Sequence, residues 1–162
     1  MPDAHQFREA DLEQAIIGKL QAFMLELGKG FAFVARQQRI STETKDFFID
    51  LVFYNYILKF FLLIDLKTSE LTHEDIGKVD MYVRVFEDTV KGKDDNPTVG
   101  LILCTDRDHT VVKYSVLNES HQLFASKYRL YLPTEEELRI EIERERALAV
   151  REQRAMYEVM GR

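Results

Sequence analysis

Two aspartates and a lysine stand where polar side chains are least expected. Asp50 interrupts the run FFIDLVFY, and Asp65 and Lys67 close the run FFLLIDLK. If both runs are strands, Asp65 and Lys67 share a face, because side chains two apart on a strand do. A hairpin between the two strands would bring Asp50 to Asp65. Two carboxylates in an apolar setting repel, and holding them there is costly until a cation compensates them. Hard oxygen ligands favour Mg²⁺ or Mn²⁺. A lysine beside such an ion can orient an attacking water or neutralise charge on a phosphate. That is the layout of a metal-dependent phosphodiesterase site. In the plainer reading, Asp65 and Lys67 face solvent at a strand end and Asp50 pairs with a nearby cation. On spacing alone the plainer reading is the stronger, since Asp-x-Lys is common by chance.

Further candidates stay open. Glu26, near the end of a first helix, adds a third carboxylate if that helix packs near the site. Otherwise it is a solvated helix-end glutamate, which the sequence alone favours. Arg36, Gln37 and Arg39 either line a phosphate-binding groove or are ordinary surface residues. Lys78 and Tyr82, four apart, share a helix face; that face looks over the site or flanks the core. His5, His73, His109 and His121 are scattered and form no HExxH pair. Cys104, the single cysteine, sits in LILC and reads as a buried thiol. It excludes an intrachain disulfide and a four-thiolate zinc site. Neither a Walker A loop nor GxGxxG occurs, so a nucleotide cofactor has no support.

These residues need a scaffold. The chain has 162 residues, 46% hydrophobic and 31% charged, which suits one globular domain. Twenty-two basic against 28 acidic residues leave a net charge of −6. Binding of nucleic acid through bulk positive charge is therefore excluded, and any such contact must be local. No apolar run approaches the roughly 20 residues of a membrane span. The opening MPDAHQFREAD is polar and acidic, unlike a signal peptide, so a cytoplasmic location is expected.

Ile16, Leu20, Phe23, Met24 and Leu27 predict a helix over 7–27, stopped by Gly28 and Gly30. Strands are predicted at 31–40, 47–56 and 59–67, as an antiparallel meander. A second helix follows at 74–90, then a polar loop at 91–97 and a buried strand at 98–104. Shorter strands are expected at 111–117 and 123–130. A last helix opens at Pro133, with Thr134 and Glu137 placed for a capping box. The whole reads as an α/β domain with a central mixed sheet flanked by helices. Residues 1–132 form the domain and 133–162 a charged C-terminal helical extension. Leu138, Ile142, Ala149 and Met156 give that extension a thin apolar stripe, which packs along the domain or on a second subunit as a homodimer. Its heptads are not sustained, so it is not a coiled coil.

Several blocks in order carry a family resemblance: ELGKGFAFVARQQRI, FFIDLVFYN, IDLK, EDIGKVDMYV, DNPTVGLILC and FASKYRLYLPTEEEL. From Leu20 to Leu148 the chain resembles the C-terminal domain of the YhcG-type bacterial proteins, within the PD-(D/E)xK nuclease superfamily. The resemblance implies a restriction-endonuclease-like fold and Mg²⁺-dependent (or Mn²⁺-dependent) hydrolysis of DNA. It reverses the preference that spacing alone gave. It implies that Asp50, Asp65 and the backbone carbonyl of Leu66 hold the metal, with Glu26 as the acidic residue ending the first helix. Lys67 becomes the catalytic lysine, and Arg36, Gln37, Lys78 and Tyr82 the nucleic-acid contacts. The group usually reads Glu-Leu-Lys where this chain reads Asp65-Leu66-Lys67, which retracts one carboxylate by a methylene. An inactive nucleic-acid-binding or oligomerisation module of the same fold is therefore the alternative. Relatives also carry an N-terminal domain, expected here to be missing or supplied separately.

Overall fold

Five strands lie in the order β1-β2-β3-β4-β5, in a computed structural model that describes residues 4–106, 109–116 and 127–161. Helix α1 (Ala4–Leu27) leads into β1 (Phe31–Ser41), β2 (Asp46–Asn55) and β3 (Phe60–Lys67). These three strands pair antiparallel, as the predicted meander requires. Helix α2 (His73–Thr89) then crosses over to β4 (Val99–Thr105), which pairs parallel to β3. Strand β5 (Thr110–Val116) returns antiparallel to β4, and α3 (Glu135–Met160) ends the fold. A parallel pair needs a crossover connection of this length, which is why the helix sits between these two strands. The mixed sheet with helices on both faces is the expected α/β architecture.

The sheet is a dividing wall between two cores. On one side, Leu12, Ile16, Leu20 and Met24 of α1 pack on Leu51, Phe53, Leu62, Ile64 and Leu101. Leu138, Ile142 and Ala149 of α3 join the same cluster, so the first three positions of its stripe pack within the chain; Met156 stays 65% exposed. On the other side, Val79, Tyr82, Val83 and Phe86 of α2 pack on Val52, Leu63 and Ile102. Alternation along β3 sends its side chains to the two cores in turn. Strand β4 is buried at every position, as a parallel strand covered on both faces must be.

Gly100 sets how closely α2 approaches. A Cβ there would lie 2.7 Å from Val79 Cγ1 and 3.1 Å from Val83 Cγ2. Overpacking of this kind costs about 2 kcal/mol, so Gly100→Ala is expected to lower the melting temperature by about 5 °C in a calorimetric scan. An unchanged melting temperature would show that α2 can move outward freely.

The ends of the helices differ from expectation in detail. Thr72 and Asp75 form the reciprocal capping box, at the start of α2. At α3, Thr134 accepts from the Glu137 N–H at 3.0 Å, but the Glu137 carboxylate takes the Thr134 hydroxyl instead of reaching the backbone. Of the strand expected at 123–130, residues 123–126 lie outside the described residues. Lys127 and Tyr128 are helical and Arg129 and Leu130 form a turn, with Tyr131 and Leu132 N–H donating to the Tyr128 carbonyl. That part is a helix end, not a strand. Among the described residues, no helix is long and apolar enough to cross a membrane.

Candidate active site

The centre forms where β2 and β3 part. Their ladder runs from Asn55–Phe60 to Leu51–Ile64 and stops there; the next antiparallel pair would be Asp50 opposite Asp65. Strand β3 meanwhile stays paired to β4 as far as Lys67–Cys104. The Asp50 side chain enters the gap, and its Oδ2 accepts the Leu66 N–H at 2.8 Å. A side-chain carboxylate thus replaces a backbone carbonyl in the ladder. The N–H and C=O of one strand residue point to the same side, so the Leu66 carbonyl also faces the gap.

Gln37 holds the other oxygen of Asp50. Arg36 pairs with Leu51 and Gln38 with Ile49, which leaves Gln37 opposite Asp50 in an irregular stretch of β1. Its φ is +56°, a left-handed conformation that a non-glycine residue rarely adopts. Backbone strain of this kind concentrates at functional sites. It lets the Gln37 amide donate to Asp50 Oδ1 at 2.8 Å. Gln37 therefore positions a carboxylate.

Asp65 and Lys67 face α2. The Asp65 carboxyl is pushed up to about 7, first by burial and then by the charge of Asp50, while Lys78 acts in the opposite direction. The pair is short of positive charge. Lys67 Nζ lies 2.6 Å from Asp75 Oδ2. Burial works to raise the Asp75 carboxyl, but hydrogen bonds from Lys67 and from Thr72 outweigh it and hold the group low. Tyr82 is 1% exposed, and its hydroxyl donates to the Phe48 carbonyl at 3.5 Å. Burial first, then Asp65 and Asp50, push that phenol well above its ordinary range. Tyr82 is thus a wall of the site, packed behind the carboxylates, and offers no exposed contact surface.

Two expected residues lie elsewhere. Arg36 points to α1, donating to the Gln14 carbonyl at 3.1 Å and to its side-chain oxygen at 2.8 Å. Glu26 is exposed at the C-terminal end of α1, beside the start of β1, where the Phe31 ring meets Phe53 and Phe60. That is the opposite end of β3 from Asp65, so Glu26 does not belong to the centre. Glu13 reaches the right end instead: its Oε1 accepts the Thr68 hydroxyl at 3.1 Å, one residue beyond Lys67. About 20 Å of helix separates positions 13 and 26, at 1.5 Å per residue. Cys104, 2% exposed, donates its thiol to the Ser69 carbonyl at 2.8 Å, as expected of a structural cysteine.

Among the described residues, no three His, Cys, Asp or Glu side chains gather as a metal site. The acidic side chains at the gap are Asp50 and Asp65, and a third protein oxygen there is the Leu66 carbonyl. This all-oxygen donor set, carrying unbalanced negative charge, fits a hard divalent cation.

The comparisons with known proteins give the family. The family model described as "YhcG PDDEXK nuclease domain" matches residues 1–143. A protein of Escherichia coli (strain K12) that bears the name "Putative nuclease YhcG" is 35% identical over 143 residues, which are 88% of this chain and 38% of that protein. The chain thus spans less than two-fifths of that relative's length. With a sheet that parts around Asp50 and Asp65 and a family match over most of its length, this chain belongs to the YhcG PDDEXK nuclease domain family.

Proposed function

We propose that this domain hydrolyses phosphodiester bonds of DNA with the aid of Mg²⁺ or Mn²⁺. The observation that carries the reading is the parted ladder, with Asp50 bonded to the Leu66 N–H and facing Asp65. Asp50, Asp65 and the Leu66 carbonyl would hold the ion. When bound, the ion supplies Lewis-acid stabilisation of charge on the scissile phosphate and the leaving 3′-oxygen. Lys67, on the same face as Asp65, positions the attacking water and offsets negative charge as it develops. Asp75 aims the Lys67 ammonium before substrate arrives. Lys78 faces Asp65 and is the proposed phosphate contact from α2. The E. coli relative extends well beyond the matched part, and a separate DNA-binding element there would suit a domain of net charge −6.

The direct test is cleavage of single- and double-stranded DNA in Mg²⁺, Mn²⁺ and EDTA. Cleavage in either metal and none in EDTA is expected. Metal-independent DNA binding without cleavage would favour the inactive binding module instead, which the shorter Asp65 motivates.

Glu13 adds a finer expectation. It anchors Thr68, and so fixes the strand end that carries Lys67. Residues that orient a catalytic group typically cost 10- to 100-fold when lost. Glu13→Ala is expected to lower kcat about tenfold with little change in KM. Steady-state kinetics on a labelled oligonucleotide would show it, and an unchanged kcat would remove Glu13 from the account.

A further inference from the structure

Strands β1 and β2 outrun the rest of the sheet. The β2–β3 ladder ends at Leu51–Ile64, whereas β1 and β2 go on pairing through Gln38–Ile49, Arg39–Phe48 and Ile40–Phe47 to Ser41–Asp46. A two-stranded ribbon thus projects past the carboxylate gap, at the end of β3 that carries Asp65 and Lys67. Its two faces differ. Ile40, Phe47 and Ile49 join the core on the α2 side. Leu63 belongs to the same core, so alternation along β3 puts Asp65 and Lys67 on that side too. Arg39 and Phe48 alternate to the opposite face of the ribbon, where Asp46 neutralises Arg39 at 2.8 Å.

On the α2 side the ribbon ends in a placed cation. Thr42 and Lys45 close the turn with three hydrogen bonds. The Lys45 carbonyl accepts the Thr42 N–H at 2.9 Å and the Thr42 hydroxyl at 2.8 Å, and the Lys45 N–H donates to that hydroxyl oxygen at 3.1 Å. The Lys45 side chain then lies over the Phe47 ring, its Nζ 5.3 Å from the centroid. A ring face attracts an ammonium without neutralising it. Phe47 stands edge-on to Tyr82, ring centroids 6.3 Å apart, and Tyr82 stands beside both Asp65 and Asp50. One wall therefore leads from the carboxylate pair through Tyr82 and Phe47 to Lys45. Lys67 is engaged by Asp75. Among the described residues, Lys45 and Lys78 have no carboxylate within ion-pair distance. Glu43 is exposed on the same turn, so the ribbon tip offers one placed charge and no general positive field.

We propose that Lys45 binds a backbone phosphate of the DNA strand held at the carboxylate centre, so that the strand lies between the ribbon and α2. The inference rests on the phosphodiesterase reading of that centre. A strand laid across Asp50 and Asp65 is flanked by the ribbon on one side and by Lys78 of α2 on the other. Phe47 is the platform that fixes the ammonium. A lysine meets phosphate as a point charge with rotatable donors, so Lys45 contributes affinity and register and does not read sequence.

The test is fluorescence anisotropy with labelled single-stranded and duplex DNA in EDTA, across a salt series. Lys45→Met keeps the apolar stem on the Phe47 ring and removes the charge. It is expected to weaken binding about fivefold and to reduce the slope of log affinity against log salt by about one. Lys45→Arg should restore both, and the melting temperature of Lys45→Met should equal that of wild type. Arg39→Gln, on the opposite face of the same ribbon, should bind as wild type. An equal loss in Arg39→Gln would overturn the placement of the strand on the α2 side. Equal affinity and equal salt slope in Lys45→Met and wild type would overturn the contact, as would no binding by wild type. Cleavage kinetics in Mg²⁺ separate the two readings: Lys45→Met should raise KM about fivefold at unchanged kcat. Cleavage with an unchanged KM sinks the Lys45 contact alone. Lys45-dependent binding without cleavage supports the contact and sinks the hydrolase, and a wild type that neither binds nor cleaves sinks both.

Discussion

Asp50→Asn and Lys67→Ala are each expected to reduce DNA cleavage by about 10³-fold, the several kcal/mol that a catalytic metal or a charge-stabilising donor contributes. The choice of asparagine matters. Asp50 accepts hydrogen bonds from the Leu66 N–H and the Gln37 amide, both at 2.8 Å. Asparagine keeps an acceptor for the Leu66 N–H and removes the charge. Alanine would leave both donors unpaired, at about 1–3 kcal/mol, and a loss of activity could then be a loss of fold. Lys67→Ala removes one partner of the pair with Asp75, and the remaining bonds of Asp75 to Thr72 keep the capping box closed. Initial-rate assays with circular dichroism on the same samples would check both. Variants that stay folded and still cleave within tenfold of wild type would contradict the assigned roles.

The carboxylate pair also makes a stability prediction. An aspartate titrates near 3.9 in an unfolded chain, whereas Asp65 in the metal-free fold is pushed up to about 7 by burial and by Asp50. Below about pH 4 the group is protonated in both states, and it costs nothing. As pH rises from about 4 to 7, the unfolded chain releases the proton first, so the fold loses stability. Above about 7 the loss is complete. Asp65→Asn is therefore expected to be more stable than wild type by about 2 kcal/mol at pH 8 in EDTA, with the gain shrinking toward pH 5. Saturating Mg²⁺ should stabilise wild type but not the variant, since a ligand stabilises only the state that binds it. Urea titrations at the two pH values would measure this. An equal gain at both would mean that ionisation of the buried Asp65 is not its source.

This centre is less stable than an apolar one would be, which is the usual condition of a functional site. The same feature explains what could be read beforehand. Asp50, Asp65 and Lys67 stand out because each breaks an apolar strand run, and strand alternation assigns Asp65 and Lys67 a common face without any structure. Strands β1 to β3 were legible from length and residue type, as were α2 and β4.

Glu26 was misplaced for a topological reason. The short turn after α1 puts the end of that helix beside the start of β1. Strands β1 and β3 run the same way, both antiparallel to β2. The far end of β3 must then lie beside the earlier part of α1, where Glu13 is. The signal was present, but it belonged to the chain path and not to any local motif. Gln37, expected at a phosphate, is found on Asp50, because its side-chain direction depends on an irregularity in β1 that the residue types do not announce. Asp75 was missed because a capping residue looks complete in its local role, although it also takes Lys67.

Isothermal titration of Mn²⁺ and Mg²⁺ into wild type and Asp50→Asn tests the central claim most directly. The parted strands should bind one ion per chain in wild type, and Asp50→Asn should lose that binding while keeping the wild-type fold. Absence of metal binding in wild type, or equal binding in the two proteins, would contradict a carboxylate metal centre between β2 and β3.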